Sequence, residues 1–225
     1  MPRLHVLEVF VSPDGEGGNP LGVFLDGGDV PERDRQRIAA ELGFSETVFV
    51  DDAGRAEMRI FTPASELPFA GHPCVGTAWL LRRDRDAVDA LRPPPGEARV
   101  RYDEGELVWI AAPPEWAPEF DFIQLESPAD VDALTEPPGA SEMAYCWAWE
   151  DETAGTVRSR GLYPAEGIAE DEATGAAALA LAGALDRPLE IRQGRGSRLS
   201  ARPLGDGFVE VGGLTRLIEE RDFAL

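Results

Sequence analysis

The sequence predicts an α+β fold built from two similar lobes. Many short runs are apolar or alternate between apolar and polar residues, which is typical of strands. Two stretches that begin near Gly71 and Gly175 have helical spacing and open with small residues. Short strands with two buried helices favour the α+β class. The segments before the two helices also resemble each other weakly, which favours two equivalent lobes whose helix N-termini face one cleft. Alternatively, the small residues only let each helix pack tightly in its own lobe.

The first half of the chain is predicted to contain several strands and one surface helix before its central motif. The helix, at 31–42, is predicted from its charge patterning, and Gly43 is a residue type that commonly ends helices. A turn-rich loop, SPDGEGGNP, places Asn19 just before the second strand. The strands are predicted at residues 4–10, 21–25, 48–50 and 57–62.

A hairpin and a linker are predicted to close the first half. Strands at 100–102 and 107–111 flank a turn centred on Glu104. The Pro-rich stretch PPEWAPE that follows is predicted to be a linker. It divides the chain into an N-terminal lobe, residues 1–113, and a C-terminal lobe, residues 114–225, with the last strand able to return to the first lobe.

The second half is predicted to place strands around one apolar helix. The helix, GAAALALAGAL at 175–185, follows an acidic turn at 164–174. Glycine-containing turns at 194–196 and 205–207 separate the last strands. The strands of this half are predicted at 145–149, 156–163, 189–193, 198–202 and 208–211.

Residues 61–81, FTPASELPFAGHPCVGTAWLL, form the central motif of the first half. A short strand turns through two prolines, and the spacing becomes helical after Gly71. Pro73 suits the first helical position, because its missing N–H would have no partner there. His72 then lies at the mouth of a helix whose free N–H groups attract anions. The histidine either belongs to a reaction site or merely caps a core helix, and the spacing alone favours neither interpretation.

Glu46 lies just before the apolar run at 48–50. A carboxylate in that position is most often an exposed strand end. It is alternatively a base held against an apolar wall, where burial raises its pKa.

Composition limits the classes of partner. The chain of 225 residues is 43% hydrophobic and 28% charged, as in soluble globular proteins. Its net charge of −21 argues against nucleic acid and against an anionic membrane surface. The N-terminus has no long apolar core and no cleavage signal, which predicts cytoplasmic residence.

Missing residue types exclude several chemistries. The chain contains no lysine, which excludes a Schiff-base lysine and a P-loop. It has two histidines and no HExxH or CxxC, so no metal site is expected. Two cysteines, Cys74 and Cys146, do not make a disulfide framework. Catalysis would therefore depend on carboxylates, His72, a thiol or backbone dipoles.

Four segments together resemble the PhzF-like isomerases, the phenazine-biosynthesis group within the diaminopimelate epimerase fold. They occur in the family's order and spread over most of the chain. They are the stretch 9–26 with its GGNPLGVF, FSET at 44–47, FTPASELPFAGHPCVGTA at 61–78, and GIAEDEATGAAALAL at 167–181 followed by IRQGRGSRLSARP.

The resemblance implies two similar lobes, each a curved, mostly antiparallel sheet or barrel around a central helix, with the active site between them. It implies a small carboxylate-bearing substrate, a homodimer, no metal and no organic cofactor. By motif, Glu46 matches the family's acid–base glutamate, and His72 and Asp171 match residues that share the cleft with it. Candidate substrate-binding positions are Asn19, Ser45, Gly71, Thr174 and Gly175.

Two departures from the family pattern affect the expected chemistry. The chain is short between Pro113 and Met143, so loops that contact the substrate are expected to be trimmed. Related amino-acid epimerases use two cysteines, whereas Ala70 and Asp171 stand where those thiols would be. The sequence therefore predicts a cofactor-independent isomerase that uses Glu46. Two alternatives stay open: an epimerase that uses Cys74 as one base, and a non-catalytic protein that binds a small metabolite.

Overall fold

The computed structural model describes residues 1–103 and 105–224, and within them the predicted α+β class is confirmed. Described residues form fifteen strands in one sheet and four α-helices, with short 3₁₀ turns between some of them. The turn predicted around Glu104 is only partly covered, because Glu104 itself lies outside the described residues. The two strands that flank that turn pair antiparallel as predicted.

The elements of the first half agree with most of the predicted ranges. Helix α1 spans Glu32–Leu42 and ends at Gly43, which adopts the left-handed conformation expected of a helix-ending glycine. Helix α2 spans Gly71–Asp84. The strands are β1 Arg3–Val11, β2 Asn19–Phe24, β3 Glu46–Asp52, β4 Glu57–Phe61, β5 Glu66–Leu67, β6 Ala90–Leu91, β7 Ala98–Tyr102 and β8 Leu107–Ala112.

The second half contains two short elements that the sequence did not predict, β9 at Asp121–Gln124 and helix α3 at Pro128–Asp132. Helix α4 spans Gly175–Leu185, as predicted. The remaining strands are β10 Ala144–Asp151, β11 Thr156–Tyr163, β12 Ile168–Asp171, β13 Leu189–Gln193, β14 Ser197–Pro203 and β15 Val209–Asp222.

The sheet is mostly antiparallel and runs in the order β5-β4-β3-β2-β1-β15-β14-β13-β11-β10-β9. Its parallel pairs are β2 with β3, β9 with β10, and β11 with β13. Strand β15 pairs with β1 and β8 from the first half and with β14 from the second. The final strand therefore joins the two halves of the chain into one sheet.

The two halves share a sequence of pairings that leads into each long buried helix. In the first half, β3 and β4 form an antiparallel pair, β5 pairs with β4, and α2 follows. In the second, β10 and β11 pair, β12 pairs with β11, and α4 follows. This order is consistent with the predicted equivalence of the halves, and the lobe boundary between residues 113 and 114 stays a prediction.

Three local predictions were wrong. Helix α2 begins at Gly71, so Pro73 takes its third position instead of its first; the first four N–H groups of a helix lack intrahelical partners, so a proline is tolerated there too. The predicted acidic turn at 164–174 contains strand β12, which pairs with β11. Strand β15 continues to Asp222 instead of ending near 211, because β1 pairs with its residues 214–222.

Both long helices lie inside the molecule. Every residue of α2 from Gly71 to Leu81 is buried, as are most residues of α4. Fully burying an apolar side chain contributes about 1.5–3 kcal/mol, so these helices are stabilised mainly by tertiary packing. Their small N-terminal residues let backbone approach backbone. In the described part of the chain, no helix combines the length and apolar character that a membrane crossing requires.

Candidate active site

The N-termini of α2 and α4 meet in the interior, with Gly71 packed against Gly175. A Cβ atom added to Gly71 would lie 2.6 Å from the carbonyl carbon of Gly175. A Cβ added to Gly175 would lie 2.9 Å from the backbone nitrogen of His72. Both positions therefore require glycine because the backbones are in contact. The contact brings the free N–H groups of two helices to one place, which favours binding of an anion there.

A cavity of about 80 Å³ lies beside this contact, between segments of the first and second halves. Six of the eight predicted site residues line it: Glu46, Gly71, His72, Asp171, Thr174 and Gly175. Small-molecule sites usually measure about 300–1,000 Å³. The cavity is therefore small for a metabolite site.

Apolar side chains and carboxylates make up most of the cavity wall. Leu67, Phe69 and Phe120 contribute apolar surface, and Glu166 joins Glu46 and Asp171 as a third carboxylate. Glu166 Oε2 accepts a hydrogen bond of 3.1 Å from the hydroxyl of Ser65, so loops from the two halves touch across the cavity. None of the described lining residues is an arginine.

Glu46 and His72 form a close pair in the cavity lining. Glu46 Oε2 lies 3.2 Å from His72 Nε2, and both side chains are buried. The two atoms are not aligned for a hydrogen bond, and neither has another hydrogen-bond partner among the described residues. Buried polar atoms without partners are costly, which is the arrangement expected where a ligand supplies the missing contacts.

Burial changes the ionisation of both members of this pair. Burial raises the pKa of Glu46 well above its ordinary range, and the negative charges of Asp171 and Glu166 raise it further. Burial lowers the pKa of His72 to about 3, against the opposing effect of the Pro20 carbonyl. The pair is therefore a neutral imidazole beside a carboxyl group that holds its proton more tightly than usual.

Asp171 is buried and receives hydrogen bonds on both oxygens. The Asn19 amide donates to Oδ1 at 2.7 Å, and the Thr174 hydroxyl donates to Oδ2 at 2.7 Å. Burial raises the pKa of Asp171 to about 6, although these two donors favour its ionised form. A group with that pKa changes charge just below neutral pH.

Asn19 and Ser45 lie behind the cavity wall instead of lining it. Asn19 uses its two amide hydrogens on Asp171 and on the Ala173 carbonyl, at 2.7 and 2.8 Å. The Ser45 hydroxyl donates to Oδ1 of the Asn19 side-chain amide at 2.9 Å. Through these hydrogen bonds Asn19 contacts Asp171 and Ser45 contacts Asn19. The substrate-binding and catalytic roles of all eight predicted site residues stay predictions.

Sequence reasoning missed two residues that hold the site together, Tyr163 and Gln193. The Tyr163 hydroxyl donates to the Thr174 hydroxyl at 3.0 Å, and the Gln193 amide donates to the same oxygen at 2.8 Å. Both residues end predicted strands, where a polar side chain is usually exposed. Only the tertiary pairing of β11 with β12 and β13 shows that they are buried.

Cys74 is badly placed for catalysis. It is fully buried, does not line the cavity, and burial raises the pKa of its thiol to about 12. A thiolate is the reactive form of cysteine, so this residue is inert near neutral pH. The geometry disfavours the alternative of a cysteine-assisted epimerase.

One cluster outside the cavity has residue types that bind metals. Potential ligand atoms of His5, Asp84 and Glu220 all lie within 4.8 Å of one another. The Arg83 guanidinium lies 3.0 Å from Glu220 and 3.6 Å from Asp84, so a cation already pairs with both carboxylates. The cluster is better described as a surface ion-pair network, and the expected absence of a metal in the active site stays a prediction.

Comparisons with known proteins agree on one family. The family model described as phenazine biosynthesis-like protein matches residues 7–108. The trans-2,3-dihydro-3-hydroxyanthranilate isomerase of Pseudomonas aeruginosa is 34% identical over an alignment of 273 residues that covers 95% of this chain and 96% of that protein. The enzyme of the same name from Pseudomonas chlororaphis is 34% identical over 236 residues, which covers 87% of this chain and 84% of that protein.

Comparison with a solved structure shows that the chain has the fold of this family. A phenazine biosynthesis PhzC/PhzF protein from Clostridium difficile superposes with a TM-score of 0.81 at 21% identity, covering 100% of both chains. Both sequence alignments are longer than the 225 residues of this chain, so the relatives carry segments with no counterpart here. That difference is consistent with the prediction that some loops are trimmed.

Proposed function

The chain belongs to the phenazine biosynthesis-like family of isomerases, and on that premise we propose that it moves a proton within a small carboxylate-bearing substrate by acid–base catalysis. Its relatives are named for trans-2,3-dihydro-3-hydroxyanthranilate, so that compound or a close analogue is the proposed substrate. Glu46 is the proposed acid–base group. His72 and Asp171 are proposed to hydrogen-bond the substrate and to tune Glu46.

The proposed reaction is balanced without a co-reactant. Ionised Glu46 takes a proton from one carbon, and the electron pair of the broken C–H bond moves into the neighbouring double bonds. The resulting carboxylic acid returns a proton to another carbon of the same molecule. No electron is gained or lost overall, so the step calls for no redox cofactor. A base with a raised pKa suits this step, because it binds the transferred proton more strongly than an ordinary carboxylate does.

The observation that carries the proposal is the Glu46–His72 pair. The facing atoms of the pair lie 3.2 Å apart, are buried, and lack aligned partners. They border a cavity that is also lined by the N-terminal residues of α2 and α4. A proton-transfer group beside an anion-binding position is the arrangement that isomerisation of a carboxylate requires.

The net charge of −21 opposes an anionic substrate, and local contacts are expected to outweigh it. Salt screens the field of exposed charges beyond about 8 Å at physiological ionic strength. Helix-end N–H groups act at contact and contribute about 0.3–2 kcal/mol. The substrate carboxylate is therefore proposed to bind at the N-termini of α2 and α4, away from Glu166.

Turnover of trans-2,3-dihydro-3-hydroxyanthranilate by protein dialysed against a chelator tests the proposal. We expect product to form at the same rate before and after dialysis, with no added cofactor. Loss of turnover on dialysis that a metal restores would contradict the proposed mechanism. Ligand-dependent thermal stabilisation without any reaction would favour the non-catalytic alternative.

Asp171→Asn is expected to move the acidic limb of the pH–rate profile to lower pH by about one unit. The reason is that the Asp171 charge raises the pKa of Glu46, so its removal lets Glu46 ionise more easily. The measurement is the rate as a function of pH for both proteins. A profile with the same midpoint in both would show that the two carboxylates do not interact.

The stability of the protein should depend on pH through the same group. The folded-state pKa of Asp171 is raised to about 6, so the folded state binds its proton more tightly than the unfolded chain does. This contribution to stability is present at acidic pH and is lost as the pH rises through about 6. Asp171→Asn should remove that part of the pH dependence in thermal melts.

Three further expectations stay predictions. A homodimer is expected from the family resemblance, and light scattering at several protein concentrations would test it. Cytoplasmic residence is expected from the N-terminal sequence, and cell fractionation would test it. The expected lack of affinity for nucleic acid follows from the charge alone.

A further inference from the structure

Gln193 is completely buried at the end of β13 and does not line the cavity. Its side-chain nitrogen donates to the Asp171 carbonyl at 3.0 Å and to the Thr174 hydroxyl at 2.8 Å. Its side-chain oxygen accepts from the Thr174 backbone N–H at 3.1 Å and from the Tyr145 hydroxyl at 3.2 Å. All four hydrogen-bonding positions of the amide are therefore used, three of them on the segment from Asp171 to Thr174.

The chemistry of these partners fixes which way round the amide lies. A backbone N–H only donates, so the atom that faces the Thr174 nitrogen is the amide oxygen. A backbone carbonyl only accepts, so the atom that faces the Asp171 carbonyl is the amide nitrogen. The flipped amide would place two donors together and two acceptors together. The hydrogen bond from Gln193 to the Thr174 hydroxyl thus has a defined direction.

That direction determines where the hydrogen of the Thr174 hydroxyl points. The oxygen of this hydroxyl accepts from Gln193 and from Tyr163, which occupies both of its lone pairs. Its single hydrogen is then directed at Asp171 Oδ2, 2.7 Å away. We propose that Gln193 is a positioning residue for the reaction, which acts by directing the Thr174 hydroxyl to donate to Asp171.

A carboxylate that receives a directed hydrogen bond ionises more easily than one that does not. Loss of the Gln193 amide should therefore raise the pKa of Asp171 from about 6. Asp171 would then stay neutral to higher pH, which removes over that range the negative charge that raises the pKa of Glu46. The titratable groups around Asp171 that contribute to its environment are Glu46 on β3, His72 on α2, Tyr145 on β10, Tyr163 on β11 and Glu172 next to Asp171.

Two substitutions distinguish the effect of the Gln193 hydrogen bonds from the effect of the side chain's volume. Gln193→Met keeps the length of the side chain and removes every hydrogen bond. Gln193→Glu keeps the shape and the acceptor side, but it can no longer donate to both Asp171 and Thr174, and its charge disfavours ionisation of Asp171. We expect the midpoint of the Asp171 titration to rise by about one pH unit in Gln193→Met and by more in Gln193→Glu.

Ser159→Ala is the matched control. Ser159 is buried in the same cluster and its hydroxyl lies within hydrogen-bond distance of the Tyr145 hydroxyl, at 2.9 Å, but its side chain makes no hydrogen bond to Asp171 or Thr174. Its loss leaves Tyr145 with Gln193 as an acceptor, so the direction of the Thr174 hydrogen bond is unchanged. The control should lower thermal stability without moving the Asp171 midpoint.

The titration is measured by carbon-13 NMR of labelled aspartate carboxyl groups, with Asp171 assigned by its missing signal in Asp171→Asn. This inference rests on the proposed function only for the importance of Asp171. Because the NMR titration needs no turnover, it can test the positioning role even if the proposed function is wrong. If the wild type shows no isomerisation but the midpoint shifts, the proposed function fails and the positioning role stands.

Unshifted midpoints in folded Gln193 variants would overturn the positioning role. An equal shift in Ser159→Ala would overturn it too, since the effect would then come from general loosening of the cluster. If neither Gln193 variant folds, Gln193 is a structural residue and the proposal is wrong. In active protein, the acidic limb of the pH–rate profile should move in the Gln193 variants and stay in place in the control.

Discussion

Glutamine in place of Glu46 is expected to lower turnover by about 10²–10⁴-fold while leaving the fold and ligand binding nearly unchanged. Glutamine keeps the shape of the side chain beside His72, but it cannot take a proton from carbon. The measurement compares turnover and a melting curve for the same preparation. Full turnover by a folded Glu46→Gln protein would remove Glu46 from the mechanism.

The same substitution should not destabilise the protein, and the direction of its effect on stability follows from the pKa of Glu46. The pKa of Glu46 is raised in the folded state, so its contribution to stability is present at acidic pH and is lost as the pH rises. Glutamine never ionises and avoids that loss. Glu46→Gln should therefore melt at the same temperature as the wild type or higher at alkaline pH. Glu41→Gln, on the exposed face of α1, is the matched control and should keep full turnover.

Gly71→Ala is expected to lower both stability and turnover. An alanine normally stabilises a helix by about 0.5–1 kcal/mol relative to glycine. Here the new methyl group would lie 2.6–2.8 Å from backbone atoms of Gly175 and Ala176, which cannot move independently of α4. Overpacking of this kind costs about 1–3 kcal/mol, so the clash should outweigh the gain in helix propensity.

The effect of Gly71→Ala on turnover should exceed its effect on stability. Pushing the two helix N-termini apart displaces His72 relative to Thr174 and the anion-binding N–H groups. A displacement of about 1 Å can cost about 10²-fold in rate. Gly54→Ala is the control, because its added methyl group would meet only the Asp52 side chain, at 3.4 Å. A Gly71→Ala protein with wild-type stability and turnover would show that the helix N-termini are not in contact.

Local patterns were enough to predict most elements, and the family resemblance supplied the candidate site residues. Apolar runs located strands such as β10 and β11, and the alanine-rich run predicted α4 at its observed bounds. Glu46, His72 and Asp171 were identified by motif, and the structure brings them to one cavity. These features depend on short stretches of chain, which a single sequence records directly.

The features that were missed depend on partners far away in the chain. The charged end of β15 looks like an exposed tail, and it forms a strand only because β1 pairs with it from Arg3 to Val11. Gln193 and Tyr163 look like polar strand ends until β12 and α4 cover them. Asn19 and Ser45 hydrogen-bond towards Asp171 instead of lining the cavity, and their predicted contact with the substrate stays a prediction. The sequence identifies candidate polar residues, and tertiary pairing determines which of them line the cavity.

The measurement that tests the central claim most directly is solvent exchange at the substrate carbon. The protein is incubated in D₂O with trans-2,3-dihydro-3-hydroxyanthranilate, and the product is examined by NMR and mass spectrometry. If Glu46 takes the proton and returns one nearby, deuterium should enter a single carbon position, at a rate that falls by about 10²-fold or more in Glu46→Gln. Product that forms without any dependence on Glu46, or deuterium uptake that is equal in the wild type and in Glu46→Gln, would contradict the account.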